Sequence, residues 1–206
     1  MASQKTFFAI IAGVGPGTGR ATALRFARTY PVALLARSSD SYGDLVREIR
    51  AAGGQAVGVS ADTSDAASVE RAFASIRQQW APKDGFKLAA AVFNVGAGFA
   101  IKPFLEVTAE ELNASLVGNA WLASPELRRF GRGREFGPKG VHVAHVIIDG
   151  AIDTPRLREI GYKANDGAPD GLISPDAIAD TYWHLHTQHR SAFTQEVDLR
   201  PYVEKF

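Results

Sequence analysis

Gly13, Gly17 and Gly19, spaced GxxxGxG, stand between the apolar run Phe8–Ala12 and a stretch with helical apolar spacing, Ala21–Ala27. A glycine turn joining a buried strand to a helix makes a pocket for a diphosphate. The first N–H groups of a helix have no intrahelical acceptor, the helix dipole adds positive potential, and a missing Cβ lets an anion approach. Thr18 lies inside this turn and Arg20 directly follows it. If the turn holds a pyrophosphate, the end of the second apolar run, Val32–Ala36, meets the adenosine ribose. There the chain reads LLARSSD. The strand end lacks the acidic residue that would hold a free ribose 2′-hydroxyl, Asp40 three residues on being read as a helix cap, whereas Arg37, with Ser38 beside it, offers a guanidinium fork suited to a 2′-phosphate, and Arg20 is within reach of the same group. This favours NADP(H) over NAD(H).

The remaining candidates for chemistry are weaker. His142 and His145 are three apart in VHVAHVII, a strand pattern that sends them to opposite faces and argues against a shared metal. His186 and His189 can share a helix face, but a solvated helix end explains them as well. No metal site is expected.

The elements needed to carry these residues alternate. After the first strand and helix, Val32–Ala36 is a second strand and Asp40–Ala52 a helix, with Leu45, Ile49 and Ala52 on one side and Asp40 as its cap. Ala56–Val59 is a third strand. From about Asp65 a helix puts Val69, Ala72, Phe73, Ile76 and Trp80 on one face, and Leu88–Phe93 is a fourth strand. Thr108 with Glu111 reads as a capping box, and Ser174 with Pro175 as another helix start. Val141–Ile148 and Ser191–Leu199 are expected to be the last strands. This alternation predicts an α/β fold, a Rossmann-type doubly wound parallel sheet in three layers, α/β/α. The 206 residues suit one domain spanning 1–206.

Composition narrows the partners. The formal charge of +1 and the lack of basic runs argue against nucleic acid and membrane surfaces. Without cysteine there is neither a disulfide nor a thiolate metal site, which fits a reducing compartment. The short polar start before Phe7 is not a signal peptide, and no run approaches the ~20 apolar residues of a membrane span. A cytoplasmic protein is expected.

The spacing GxxxGxG, with Ala12 before it, resembles the TGxxxGxG of the short-chain dehydrogenase/reductase family. Further along, FNVGAGF is similar to that family's NNAG, with Asn94 and Gly96 in place. Ala61-Asp62-Thr63 resembles the end of its third strand, where the aspartate accepts from the adenine amino group; a helix cap is the other reading of Asp62. FLEVTAEELNASLVGN tracks a family helix and puts Asn119 at the supporting asparagine of the catalytic set. Gly150, Ile152 and Thr154 match PGxVxT, whose backbone and hydroxyl hold the nicotinamide carboxamide, with Asp149 in place of proline. The resemblance implies hydride transfer between a nicotinamide and a small carbonyl or alcohol substrate. It also implies a homodimer or homotetramer, and a mobile substrate lobe at residues 155–172 in which Tyr162 meets substrate.

The same resemblance exposes a gap. Members use a tyrosine, a lysine four residues later that stabilises the phenolate, and a serine; tyrosine's ordinary pKa of ~10 demands such help. None of Tyr30, Tyr42, Tyr162, Tyr182 and Tyr202 has a lysine four positions on. The serine, tyrosine and lysine should fall between Asn119 and Val141, where too few residues lie for a strand, a crossover and a helix, which need at least ~30. A segment missing near Ser124 and Pro125 is therefore expected, of roughly fifty residues by family length. Otherwise the last two strands would slide over to pair with the fourth. Two alternatives to an oxidoreductase stay open: a catalytically inactive nucleotide-binding protein on the same fold, and a methyltransferase.

Overall fold

The computed structural model describes residues 7–80, 86–96, 102–113 and 133–204. Asn119 and the expected gap at 124–125 lie outside them. Strands β1 (Phe7–Ala12), β2 (Val32–Ala36), β3 (Ala56–Ser60) and β4 (Lys87–Phe93) alternate with helices α1 (Thr18–Ala27), α2 (Gly43–Ala51) and α3 (Ala66–Trp80). All pairings are parallel, in the order β3-β2-β1-β4. The fold is the expected α/β Rossmann-like one.

Alternation along β1 explains the three layers. Ala9 and Ile11 point to one face, into a cluster with Ala23 and Phe26 of α1 and Leu45, Val46 and Ile49 of α2. Ile10 and Ala12 point to the other, where Ala72 and Ile76 of α3 cover them. A parallel strand buried on both faces must read as a continuous apolar run, as FFAIIA does. Each large side chain so enclosed, such as Ile11, Phe26, Leu34 and Ile76, contributes about 1.5–3 kcal/mol. Helix α1 ends where the Thr29 and Tyr30 amides turn back to the Phe26 carbonyl and Pro31 follows.

The later elements are residues 109–113, helical behind the Thr108–Glu111 capping box, a single helical turn at Gly133–Phe136, β5 (His145–Ile148), α4 (Pro155–Glu159), α5 (Pro175–His186) and β6 (Glu196–Leu199). Strands β5 and β6 pair in parallel as a ladder of their own. Among the described residues no ladder joins β5 to β4, so the last strands have not slid onto the fourth. Among the described residues strand β4 bonds to β1 alone, and Leu88 and Phe93 are exposed. Helix α5 lies against α1, with Trp183 edge-on to Phe26 at 5.2 Å between centroids and the Arg25 guanidinium 4.5 Å over the indole.

Three local expectations are corrected. Ser39–Ser41 form a 3-10 turn and α2 starts only at Gly43, so Asp40 caps no helix; it is the Ser38 hydroxyl that accepts the Asp40 N–H. The strand expected at Val141–Ile148 begins at His145, because the His142 ring is drawn to the carbonyls of Leu185 and Thr194. The strand expected at Ser191–Leu199 begins at Glu196, because the preceding residues close on themselves: the Ala192 amide bonds to the His189 carbonyl and the Thr194 amide to Gln188 Oε1.

Candidate functional site

The cleft lies at the carboxyl ends of β1 and β4, where the chain leaves in opposite directions across the sheet and open α/β sheets bind their ligands. Its floor is the turn after β1. The amides of Gly13 and Val14 share the Leu35 carbonyl of β2, at 2.9 and 3.1 Å, and the Asn94 amide bonds to the Ala12 carbonyl at 2.9 Å. Gly13 sits at φ +84°, and a Cβ there would lie 2.1 Å from the Asn94 carbonyl oxygen. No side chain fits. A Cβ on Gly19 would meet the Gly13 oxygen at 2.3 Å, so that glycine lets α1 start directly against the turn.

The opening of α1 is chemically unsatisfied. Gly17 occupies the cap position with no side-chain cap, and the first turn carries no acidic residue. The Arg20 and Ala21 amides return to the Gly15 and Gly17 carbonyls, but nothing among the described residues accepts the Thr18 or Gly19 N–H. The Thr18 hydroxyl is buried without a partner. Two open amides, an orphaned hydroxyl and the positive end of a ten-residue helix fit a diphosphate. Among the described residues no carboxylate in the first turn competes with it.

A second wall comes from far along the chain. A Cβ on Gly17 would sit 2.8 Å from Thr154 Cγ2, so the loop from Gly150 to Thr154 closes against the α1 turn. Ile152 bridges to Ile173 as an isolated parallel pair, and the Ile173 amide bonds to the Ala151 carbonyl at 2.8 Å. Thr154 caps α4, its hydroxyl accepting from the Leu157 amide. As an acceptor there, the hydroxyl keeps its own hydrogen for a ligand.

At the far side of the cleft Arg37 is exposed beyond β2. Asp62, at the end of the neighbouring β3, accepts from both the amide and the hydroxyl of Ser64 through Oδ1. Those bonds, and to a lesser degree the Arg37 charge, hold its carboxyl below the usual carboxylate range. Helix α3 is instead capped by Asp65, which accepts the Ala67 amide, so the cap reading of Asp62 fails and its second oxygen accepts no hydrogen bond among the described residues. Arg20 points elsewhere: its Nη2 donates to both oxygens of Glu48 on α2, at 2.7 and 2.6 Å. Gly96 has open space where a Cβ would be.

The structure thus brings Gly13 against Asn94 and Gly19, and Gly17 against Thr154 at the end of the loop that carries Gly150 and Ile152; Arg37 and Ser38 follow β2, Asp62 follows β3, and Arg20 is tied to Glu48. Tyr162 lies on the wall of a cavity of about 540 Å³ that reaches Gly150 and Ala151 and is also lined by Lys163, Asp166 and Glu204.

One partner escaped the sequence. Tyr182 of α5 donates to Asn94 Oδ1 at 3.5 Å, and burial pushes its phenol up to about 12, so it stays a donor throughout the ordinary pH range. Only the packing of α5 on α1 brings residue 182 to residue 94. Two histidine expectations change as well. His142 is held outside the strand, and His186 is no solvated helix end: it lies among Phe26, Tyr30 and Trp183, paired with the Tyr30 hydroxyl at 3.0 Å. Burial lowers its basicity. Among the described residues no group of three histidines or acidic side chains forms a metal site.

The model of the short chain dehydrogenase family matches residues 8–120. The chain belongs to the short-chain dehydrogenase family. That match removes the methyltransferase alternative. The chain is 26% identical over 187 residues to a 1,6-dihydroxycyclohexa-2,4-diene-1-carboxylate dehydrogenase of Acinetobacter baylyi, covering 87% of this chain and 63% of the relative; it therefore spans less than two thirds of that relative's length. A solved short-chain dehydrogenase from Rhodopseudomonas palustris, 26% identical, superposes with a TM-score of 0.66, covering 97% of this chain and 100% of the other. An actinorhodin polyketide ketoreductase variant solved with NADPH is 18% identical, covers both chains fully and gives a TM-score of 0.77; it speaks for the fold alone. Short-chain dehydrogenases are oxidoreductases that bind nicotinamide dinucleotides, and the residues that fit a diphosphate here are those of the family's glycine turn.

Proposed function

We propose that this chain is an NADP(H)-binding short-chain oxidoreductase, with hydride exchanged between the nicotinamide and the carbonyl or alcohol carbon of a small molecule. The observation that carries the reading is the uncapped start of α1, where the Thr18 and Gly19 amides have no acceptor among the described residues beside glycines that cannot bear a Cβ. Those amides bind the diphosphate. Arg37 and Ser38 take the 2′-phosphate, Asp62 and the Asn94–Gly96 turn border the adenosine, and the Ile152 backbone with the Thr154 hydroxyl orients the carboxamide. When bound, the coenzyme would supply or accept the hydride, and the chain's residues would position it. Tyr162 is assigned to substrate contact from the cavity wall, and Asn119 to support of proton transfer. We place the protein in the cytoplasm as a homodimer or homotetramer, supported by the cysteine-free sequence and by family resemblance; among the described residues no helix is long and apolar enough to cross a membrane.

A second reading is favoured by one observation: no tyrosine in the 206 residues is followed four positions later by lysine. Without that pair the chain binds the coenzyme but does not turn over. Calorimetric titration with NADPH tests what both readings share, and its failure overturns both. Oxidation of bound NADPH by a panel of aldehydes and ketones supports the first; tight binding without oxidation establishes the second.

A further inference from the structure

Arg200, the residue after β6, gathers three carboxylates around one guanidinium. Its Nη2 lies 2.5 Å from Asp149 Oδ2, its Nε donates to Asp198 Oδ2 at 3.0 Å, and its Nη1 stands 3.7 Å from Glu204 Oε2, an oxygen buried in the fold. The acids come from different places: Asp149 follows β5, Asp198 lies within β6, and Glu204 stands on the segment that leaves β6. A single exposed ion pair stabilises little. Here one planar cation, with its N–H groups in a rigid fork, sets the mutual positions of three backbones, and without it three negative charges repel one another at close range.

The backbones so joined border the cleft. Asp149 opens the loop that runs through Gly150 and Ile152 to Thr154, and Thr154 meets the α1 turn at Gly17. The Asp149 amide bonds to the Leu199 carbonyl at 3.0 Å, so backbone and side chain tie the same junction. Pro201, next after Arg200, is buried against the loop: a Cβ on Gly150 would lie 2.9 Å from Pro201 Cδ and 3.0 Å from Ile173 Cδ1. Beyond it the Glu204 amide turns back to the Pro201 carbonyl at 3.2 Å. Pro201, Val203 and Glu204 line the same cavity as Tyr162 and Lys163, next to Gly150 and Ala151. We propose, on the reading above that this loop supports the carboxamide, that Arg200 is a positioning residue: by holding Asp149, Asp198 and Glu204 together it sets the Gly150–Thr154 loop for the nicotinamide end of the coenzyme and keeps residues 201–204 as a wall of the adjoining cavity. The adenosine half, assigned to the α1 turn, Arg37 and Asp62, is untouched by this brace.

That division supplies the test. The full chain is titrated calorimetrically with NADPH and with adenosine 2′,5′-bisphosphate, which keeps the adenosine half and lacks the nicotinamide. Arg200→Ala should weaken NADPH by about three- to tenfold and leave the bisphosphate unchanged. Arg200→Lys should restore part of the loss, because it keeps the charge and gives up the fork. Equal weakening of both ligands marks a general fault of folding and overturns the proposal, as does undiminished NADPH binding. If Arg200→Ala does not fold, Asp149→Asn decides in its place: it removes one charge at nearly constant shape and should weaken NADPH alone. If the wild type binds neither ligand, the coenzyme reading has failed and hydrogen exchange decides on the brace. In Arg200→Ala the amides of Asp149, Asp153 and Ile173, bonded to the carbonyls of Leu199, Ile173 and Ala151, should exchange faster while that of Ala23 in α1 holds; unchanged exchange overturns it.

Discussion

Replacing Gly19 by alanine probes the packing that opens the cleft. Its Cβ would lie 2.3 Å from the Gly13 oxygen and 2.9 Å from the Val14 Cα. Both are backbone atoms, so no rotamer change relieves the clash, and α1 must back away from β1 by roughly 1 Å to restore an ordinary C···O contact. Overpacking of this kind costs about 1–3 kcal/mol, and a clash with fixed backbone belongs at the upper end. Alanine returns about 1 kcal/mol of helix propensity. The net expectation is a loss of about 2 kcal/mol, which lowers the melting temperature by about 4–8 °C in a domain of this size. Binding suffers more, because the shift displaces the Thr18 and Gly19 amides; losing one bond to a charged group, about 1.5–3 kcal/mol, weakens NADPH roughly tenfold or more. Scanning calorimetry and isothermal titration read the two effects separately. Gly15→Ala is the control: a Cβ there meets nothing within 4 Å, so stability should hold. A Gly19→Ala protein that melts at or above the wild-type temperature and binds NADPH undiminished would refute the packing argument.

Arg37→Ala should weaken NADPH by about 10- to 100-fold, one or two charge-assisted bonds, while leaving NADH unchanged; parallel titrations check this, and equal losses contradict the assignment of the 2′-phosphate. Phe26→Ala, at a fully buried position under Trp183, should cost about 3–5 kcal/mol in urea denaturation, against well under 1 kcal/mol for a surface change. Ser64→Ala should bring the Asp62 carboxyl part of the way back up toward the usual range, since it removes the hydroxyl bond, the largest cause of the depression, and keeps the amide bond. A group so depressed contributes above its unfolded-state pKa and loses that contribution as pH falls through its folded one; Asp62 is exposed, so the effect on stability is small and the readout is its own NMR titration.

What was legible in the sequence is what is local or periodic. The strands from Phe7 to Phe93 and helices α1 and α3 follow from apolar runs and spacing, and the glycine turn from the absence of side chains where backbones touch. The start of α2 departs from the expectation because the Ser38 hydroxyl accepts the Asp40 amide in a local turn, which mimics a helix cap. The ends of the chain were overextended because apolar residues at Val141–Ala144 and Ala192–Phe193 look like strand, while the side chains of His142 and Gln188 settle their backbone otherwise. No spacing rule reaches from Asn94 to Tyr182, or from Gly17 to Thr154. Those contacts exist because α5 stacks on α1 and because a missing Cβ leaves room for a threonine methyl.

That last contact has a further consequence. The floor and the far wall of the cleft come from stretches made early and late in the chain, and they meet at Gly17 and Thr154 with little more than a methyl between them. A molecule gripping both sides acts as a strut across that seam, and any ligand that prefers the folded form adds RT ln(1 + [L]/Kd) to its stability. The lifetime of the polypeptide against proteases is then tied to the nucleotide pool around it, whether or not a hydride ever moves.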